Sequence, residues 1–225
     1  MNDKQLVALQ AAQHVKNGML IGLGTGSTAN YFIEELARRQ REEGLKITTV
    51  ASSTISAQKA QLLQLPIVAL EHISGIDLYV DGADEITPDM TLLKGRGSDL
   101  VKEKLLAKAA ATFIAVADES KRVNYIGQNF VIPIEVIPFA WQLAKKCLED
   151  TGAQGELRPN AAKDGFWVTS HGSYVLDMKF DSSLDAKTLN ELINNTPGVV
   201  EHGIFYCLTD AVFIAANSVV NEHWA

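Results

Sequence analysis

A chain of 225 residues buries well over half of the surface its unfolded form exposes, so it needs no metal or disulfide staple to hold a core. Hydrophobic residues make up 47% of it and charged residues 21%, which is the balance of an ordinary globular protein and excludes a disordered one. A net charge of -7 argues against non-specific nucleic-acid binding, while leaving room for a local basic cleft that takes a phosphorylated small molecule.

The first four residues, Met1-Asn2-Asp3-Lys4, do not begin a basic leader with a continuous apolar stretch behind it; LVALQAAQHV reads instead as an amphipathic helix. No apolar run approaches the roughly 18 residues of a membrane span. The expectation is a cytoplasmic protein with neither membrane nor nucleic acid as a partner. Cys147 and Cys207 lack metal-binding spacing, and the expectation for them is two reduced, buried thiols.

In chain order, short apolar runs alternate with helical patterns, the signature of βαβ units around a parallel sheet. Strands are expected at Met19 to Leu23, Ile47 to Ala51, Ile67 to Leu70, Ile76 to Val80 and Thr112 to Ala117. Helices are expected at Ser27 to Arg41, Thr54 to Leu63 and Asp99 to Ala110. After VIPIEVIP (131 to 138) the pattern changes. A helix at Phe139 to Thr151 precedes strand-like pieces at Glu156 to Arg158, Phe166 to Thr169 and Tyr174 to Lys179, then a helix at Ala186 to Asn194. The run Ala211 to Ala216 could return to the first sheet. The fold class is therefore α/β: a Rossmann-like parallel-sheet domain over 1–128 and 205–225, with a second, smaller α+β domain over 129–204.

Three loops carry chemistry. IGLGTGSTA (21 to 29) joins a strand to a helix, where exposed N–H groups and the helix dipole favour an anion such as phosphate. Its glycines, Gly22, Gly24 and Gly26, do not follow the dinucleotide pattern, no lysine follows as in a P-loop, and the second strand ends in serines instead of an acid. Ser27 as a simple N-cap is the plain alternative. VDGADEI (80 to 86) sets Asp81, Asp84 and Glu85 at the carboxyl end of a buried strand, where open α/β sheets bind ligands; alternatively, Asp84 or Glu85 caps something or is solvated. Lys94-Gly95-Arg96-Gly97 forms a cationic loop, with Ser98 or Asp99 as N-cap of the next helix. On that helix Asp99, Glu103, Leu106 and Ala110 share a stripe, which puts Glu103 at the edge of the apolar face. Desolvation there would make it a better base near neutrality; an ion pair with Lys102, Lys104 or Lys108 on a solvated face is the other reading.

In order and spacing, GLGTGSTA, YVDGADEI, KGRGSDLVKEK, VADESK and IPIEVIP resemble the motifs of type A ribose-5-phosphate isomerase, and NNTPGVVEHGIF and DAVFIA resemble its closing segments. The resemblance implies an aldose-ketose isomerase that interconverts D-ribose 5-phosphate and D-ribulose 5-phosphate through an enediolate in the non-oxidative pentose phosphate pathway. It also implies a homodimer or homotetramer, a small-molecule sugar phosphate as partner, no cofactor and no metal. By resemblance Glu103 is the proton-shuttling base, Asp81 and Asp84 orient sugar hydroxyls and assist ring opening, and Lys94 supplies charge to the oxyanion. Thr25, Gly26, Ser27 and Thr28, the stretch Asp81, Gly82, Ala83 and Asp84, the loop Lys94, Gly95, Arg96 and Gly97, and Lys121 match substrate-binding positions. Lys4 matches a lysine near the phosphate, but as one lysine in an N-terminal helix it is read as a solvated charge. The family usually has three glycines after the lysine, so Arg96 departs from it, as do Asp99 and Thr169-Ser170-His171-Gly172. The expectation for Arg96 is a main-chain role with the side chain turned outward. A non-catalytic sugar-phosphate sensor, or a diverged paralogue acting on another sugar phosphate, is the alternative.

Overall fold

The computed structural model describes residues 2–97 and 99–225. They fold as two compact units. One runs to Ala83, resumes over Lys102–Lys121 and closes with Leu208–Ala225; the other comprises Asp84–Val101 and Arg122–Cys207.

In the first unit, α1 (Asp3–Ala12), β1 (Leu20–Leu23), α2 (Ser27–Glu43), β2 (Thr48–Ala51), α3 (Thr54–Leu62) and β3 (Leu78–Gly82) follow in order. The chain then crosses to the second unit with β4 (Glu85–Ile86) and β5 (Leu92–Leu93), and α4 (Leu100–Ala109) leads back to β6 (Phe113–Asp118). Asn2 caps α1 through a reciprocal capping box with Gln5, which fixes where that helix starts. Leu78 and Val80 of β3 join Val7, Ala8 and Ala11 of α1 and Phe32, Ile33 and Leu36 of α2 in one core. Tyr79 and Asp81 alternate with them and point to the other face of the sheet.

The second unit continues with β7 (Ile132–Val136), α5 (Trp141–Glu149), β8 (Gln154–Leu157), β9 (Tyr174–Lys179), α6 (Ala186–Asn194), β10 (Val199–His202) and β11 (Ile204–Phe205). The chain closes in the first unit with β12 (Ala211–Ala216) and β13 (Val219–Trp224). The first unit's sheet has the order β13-β12-β6-β3-β1-β2, parallel except at β13, so the run 211 to 216 does return to it, beside β6. The second unit holds an antiparallel sheet, β10-β7-β9-β8, and a three-stranded ribbon, β11-β5-β4. Ile134, Val136, Leu148, Leu176, Leu189 and Ile193 make its core.

Two expected strands do not form. Ile67 makes one isolated parallel bridge with Thr49, after which Leu70–His72 winds into a 3-10 turn; Pro66, lacking an N–H, serves Thr49 through its carbonyl alone. Residues 166 to 169 make only isolated bridges to Pro159 and Tyr174, and Phe166 and Val168 are 49% and 55% exposed, so no sheet covers them. Both cysteines are exposed rather than buried: Cys147 lies on the outer side of α5, and Cys207 takes a positive φ of 52° in the turn after β11.

Candidate active site

Four parallel strands, in the order β6-β3-β1-β2, present their carboxyl ends side by side, and the loops that follow them carry most of the residues singled out in the first unit. Asp81, fully buried, accepts from the backbone N–H of Thr25 at 2.9 Å and of Gly82 at 2.7 Å, and from the hydroxyl of Tyr79. The glycine loop therefore lies against Asp81. A Cβ on Gly24 would sit 2.2 Å from an Asp81 carboxylate oxygen, and for that reason the position admits only glycine. Gly26, at φ 105°, is the N-cap of α2 in place of Ser27.

Tyr79 was hidden in the apolar run of β3; being two residues before Asp81, it shares that residue's face of the strand. It stacks on Phe113 with ring centroids 4.9 Å apart. Burial, followed by the negative charges of Asp81 and Glu103, pushes its hydroxyl well above the usual range, so it stays protonated and donates. Serines at the end of β2 and in α3 complete the cluster. The Thr25 hydroxyl lies 2.9 Å from Ser52 Oγ and 3.3 Å from Ser56 Oγ, and the Ser56 hydroxyl donates to the Gly24 carbonyl at 2.6 Å.

Glu103 is 4% exposed and Leu106 is fully buried, so the stripe does face inward and the carboxylate is not on a solvated face. It lies in the same unit as Tyr79, and its negative charge is among the causes that raise the Tyr79 hydroxyl.

Lys4 is half-buried, and its Nζ donates to Ser27 Oγ at 3.0 Å in an exposed hydrogen bond. A cleft of about 770 Å³ lined by Lys4, Ser27, Tyr31, Asp118, Ser120 and Asn217 opens there. Burial pushes the Asp118 carboxyl up, but the hydroxyl and N–H of Ser120 and the charges of Lys121 and Lys4 outweigh it and hold the group below the usual range. Lys121 ends the short turn 119–121 after β6. Sequence spacing could not join Lys4 to Ser27, since the two sit on different helices that meet only through tertiary packing.

In the second unit, Asp84 donates its N–H to the Leu93 carbonyl at 2.8 Å, and Arg96 Nη1 lies 3.8 Å from Asp84 Oδ1. Lys94 is 3% exposed, with Nζ 5.6 Å from the centre of the Phe205 ring and its backbone N–H on the Gly203 carbonyl. The positive φ of this loop falls on Gly95, at 92°, and not on Arg96, so arginine at 96 carries no backbone strain. Gly97 is exposed, and Ser98, one of the two N-cap options for α4, lies outside the described residues. Glu85 is a structural acid: fully buried, it accepts backbone N–H groups from Gly127 at 2.6 Å, Asn129 at 2.6 Å and Phe130 at 3.0 Å. Among the described residues no group of three or more His, Cys, Asp or Glu is placed to hold a metal ion, and no helix is long and apolar enough to cross a membrane.

A parallel sheet whose carboxyl edge carries a glycine loop, a hydroxyl cluster and buried carboxylates belongs to the class of open α/β proteins that place their ligand chemistry at that edge. A model of the ribose 5-phosphate isomerase A (phosphoriboisomerase A) family matches residues 48–218. The ribose-5-phosphate isomerase A of Methanothermobacter thermautotrophicus is 45% identical over 94% of this chain and 93% of its own length. A structure of ribose 5-phosphate isomerase A from Methanocaldococcus jannaschii superposes with a TM-score of 0.93 at 38% identity, covering 99% of this chain and 98% of the other. Another, a D-ribose-5-phosphate isomerase in complex with phospho-erythronic acid, gives 0.95 at 37% identity and covers both chains completely. The chain belongs to the ribose 5-phosphate isomerase A family.

Proposed function

We propose that this protein interconverts D-ribose 5-phosphate and D-ribulose 5-phosphate, with Glu103 as the base that takes the proton from C2 and returns it to C1. The observation that carries the assignment of the base is the burial of Glu103 on α4, together with its electrostatic reach to Tyr79 and so to the Asp81 cluster. A carboxylate withdrawn from water is better matched to proton transfer near neutrality than a solvated one. Asp81, held by the N–H groups of Thr25 and Gly82 and the Tyr79 hydroxyl, is oriented to receive a sugar hydroxyl and to assist ring opening; Asp84 serves the same chemistry. Lys94 supplies the positive charge that offsets the oxyanion of the enediolate. Thr25, Gly26, Ser27 and Thr28 at the start of α2 bind the phosphate with Lys121 and Lys4, because a helix N-terminus and two cations suit a dianion. Gly82, Ala83, Gly95 and Gly97 contribute main chain to the substrate.

Phospho-erythronic acid, the ligand of the structure of the related isomerase, is a sugar-acid phosphate whose planar carboxylate has the shape and charge of an enediolate end, which supports the same chemistry here. The sensor reading is not favoured, since the curated relatives are named as isomerases. A cytoplasmic enzyme assembled from two or four copies completes the proposal. A coupled assay on purified protein tests it: turnover of ribose 5-phosphate is expected, unchanged after exhaustive chelation, because carboxylates and Lys94 already provide base and charge. Loss of activity on chelation, restored by zinc or manganese, would overturn the metal-independent mechanism.

A further inference from the structure

Arg96 is held at both ends. Its carbonyl accepts from Arg158 Nη1 at 3.1 Å, and Arg158 is itself anchored by Asp177 through two bonds of 2.8 and 2.6 Å. At the other end the guanidinium carbon stands 4.1 Å from the centre of the Phe130 ring. Phe130 in turn is pinned by its N–H on buried Glu85, the immediate neighbour of Asp84. From this platform Nη1 reaches to 3.8 Å from Asp84 Oδ1. The side chain is 52% exposed, so it is neither free in water nor withdrawn from it.

We propose that Arg96 is a positioning residue for Asp84: braced on the Phe130 ring, it holds the Asp84 carboxylate in the orientation and charge state that the isomerisation uses. The inference rests on the reading of Asp84 as a site residue given above. A distance of 3.8 Å is too long for a hydrogen bond, so the action is Coulombic. Guanidinium suits the task because it is permanently charged and stacks flat on an aromatic ring, which limits the freedom lost in holding it. Lysine would bring the charge without the planar stack, and glycine neither.

The test compares Arg96→Gly, Arg96→Met, Phe130→Ala, Asp84→Asn and the double variant Arg96→Gly/Asp84→Asn, measuring kcat, KM and the pH dependence of kcat/KM. Loss of the cation is expected to move the acid limb of kcat/KM to higher pH by about half a unit, the size of a part-exposed ion pair. With it kcat should fall about threefold to tenfold, while KM for ribose 5-phosphate stays within about twofold. Phe130→Ala should move the limb the same way by less. In the Asp84→Asn background, Arg96→Gly should cost nothing further. A KM raised tenfold or more with an unmoved acid limb would make Arg96 a substrate ligand and overturn the proposal. So would full additivity of the two substitutions, or an Arg96→Met enzyme indistinguishable from the wild type. An Asp84→Asn enzyme with near-normal turnover would instead remove Asp84 from the site, and the failure would then be traced to that assignment and not to the Arg96 contact.

Discussion

Glu103 and Glu85 are both buried glutamates, and their surroundings divide them. Glu85 spends its two oxygens on three backbone N–H groups of 127 to 130 and is thereby a fastener. Glu103 stands where its charge is felt by Tyr79, on the side of the sheet where Tyr79 holds Asp81. The sharpest check is Glu103→Gln. We expect kcat to fall at least about a hundredfold, near 2.7 kcal/mol of barrier, with KM largely kept, since phosphate and hydroxyl contacts are made by other residues. Near-normal turnover would demote Glu103 to a packing residue. Spacing along α4 put Glu103 at the edge of an apolar stripe but left a solvated ion pair equally open; its role as base came from the family resemblance. Nothing local marked Tyr79, which looked like one more apolar strand residue; Lys4 was matched by resemblance alone, because it acquires its partner from another helix.

At the scale of elements, β7 shows how a strand can be chemically charged in its middle. Glu135 is fully buried between Ile134 and Val136, neither of its oxygens makes a hydrogen bond of normal geometry among the described residues, and His171 Nε2 stands 3.8 Å away. Burial pushes its carboxyl up to about 7; the Thr169 hydroxyl offsets this only in part, and the negative charge of Asp99 adds to it. The sign follows directly. Below the usual glutamate range both folded and unfolded chains hold the proton and no penalty exists; as pH rises toward 7 the unfolded chain loses its proton first, so stability falls. Glu135→Gln should therefore stabilise the protein at pH 8 by on the order of 3 kcal/mol and leave it unchanged at pH 4. Urea unfolding at the two pH values measures this, and an equal effect at both would refute it. The same strand bends a usual rule by placing Pro133 in the sheet interior, where its carbonyl still accepts from Gly203.

For the whole molecule, the surface of the second unit carries Phe139 at 89%, Leu143 at 73% and Val200 at 44% exposure, large apolar groups that water does not favour. They support the proposed assembly from two or four copies. Light scattering on the purified protein should return twice or four times the 24.5 kDa chain mass, and Phe139→Asp combined with Leu143→Asp should shift it toward the monomer. A monomer at micromolar concentration in the unmodified protein would exclude the assembly.

Periodicity by itself determined the α/β class, the helices α2, α3 and α6 nearly to the residue, and the strands that carry the glycine and acidic loops, because each rests on the pattern of a few neighbouring side chains. The ordered motifs determined the family in the same way. What sequence could not reach depends on contacts between distant segments. The turn after Pro66 and the exposed stretch 166 to 169 have strand-like composition but make only isolated bridges, Ile67 to Thr49, Phe166 to Pro159 and Val168 to Tyr174. The short strands β4, β5 and β11 exist by pairing with one another, distant in sequence though β11 is. The fastening of Glu85, the hydroxyl of Tyr79 on Asp81, Lys4 on Ser27 and Arg96 beside Asp84 were likewise decided by the tertiary structure. A side chain's type is written in the sequence, but whether its charge is solvated, paired or buried is set by which remote backbone and ring the fold brings against it.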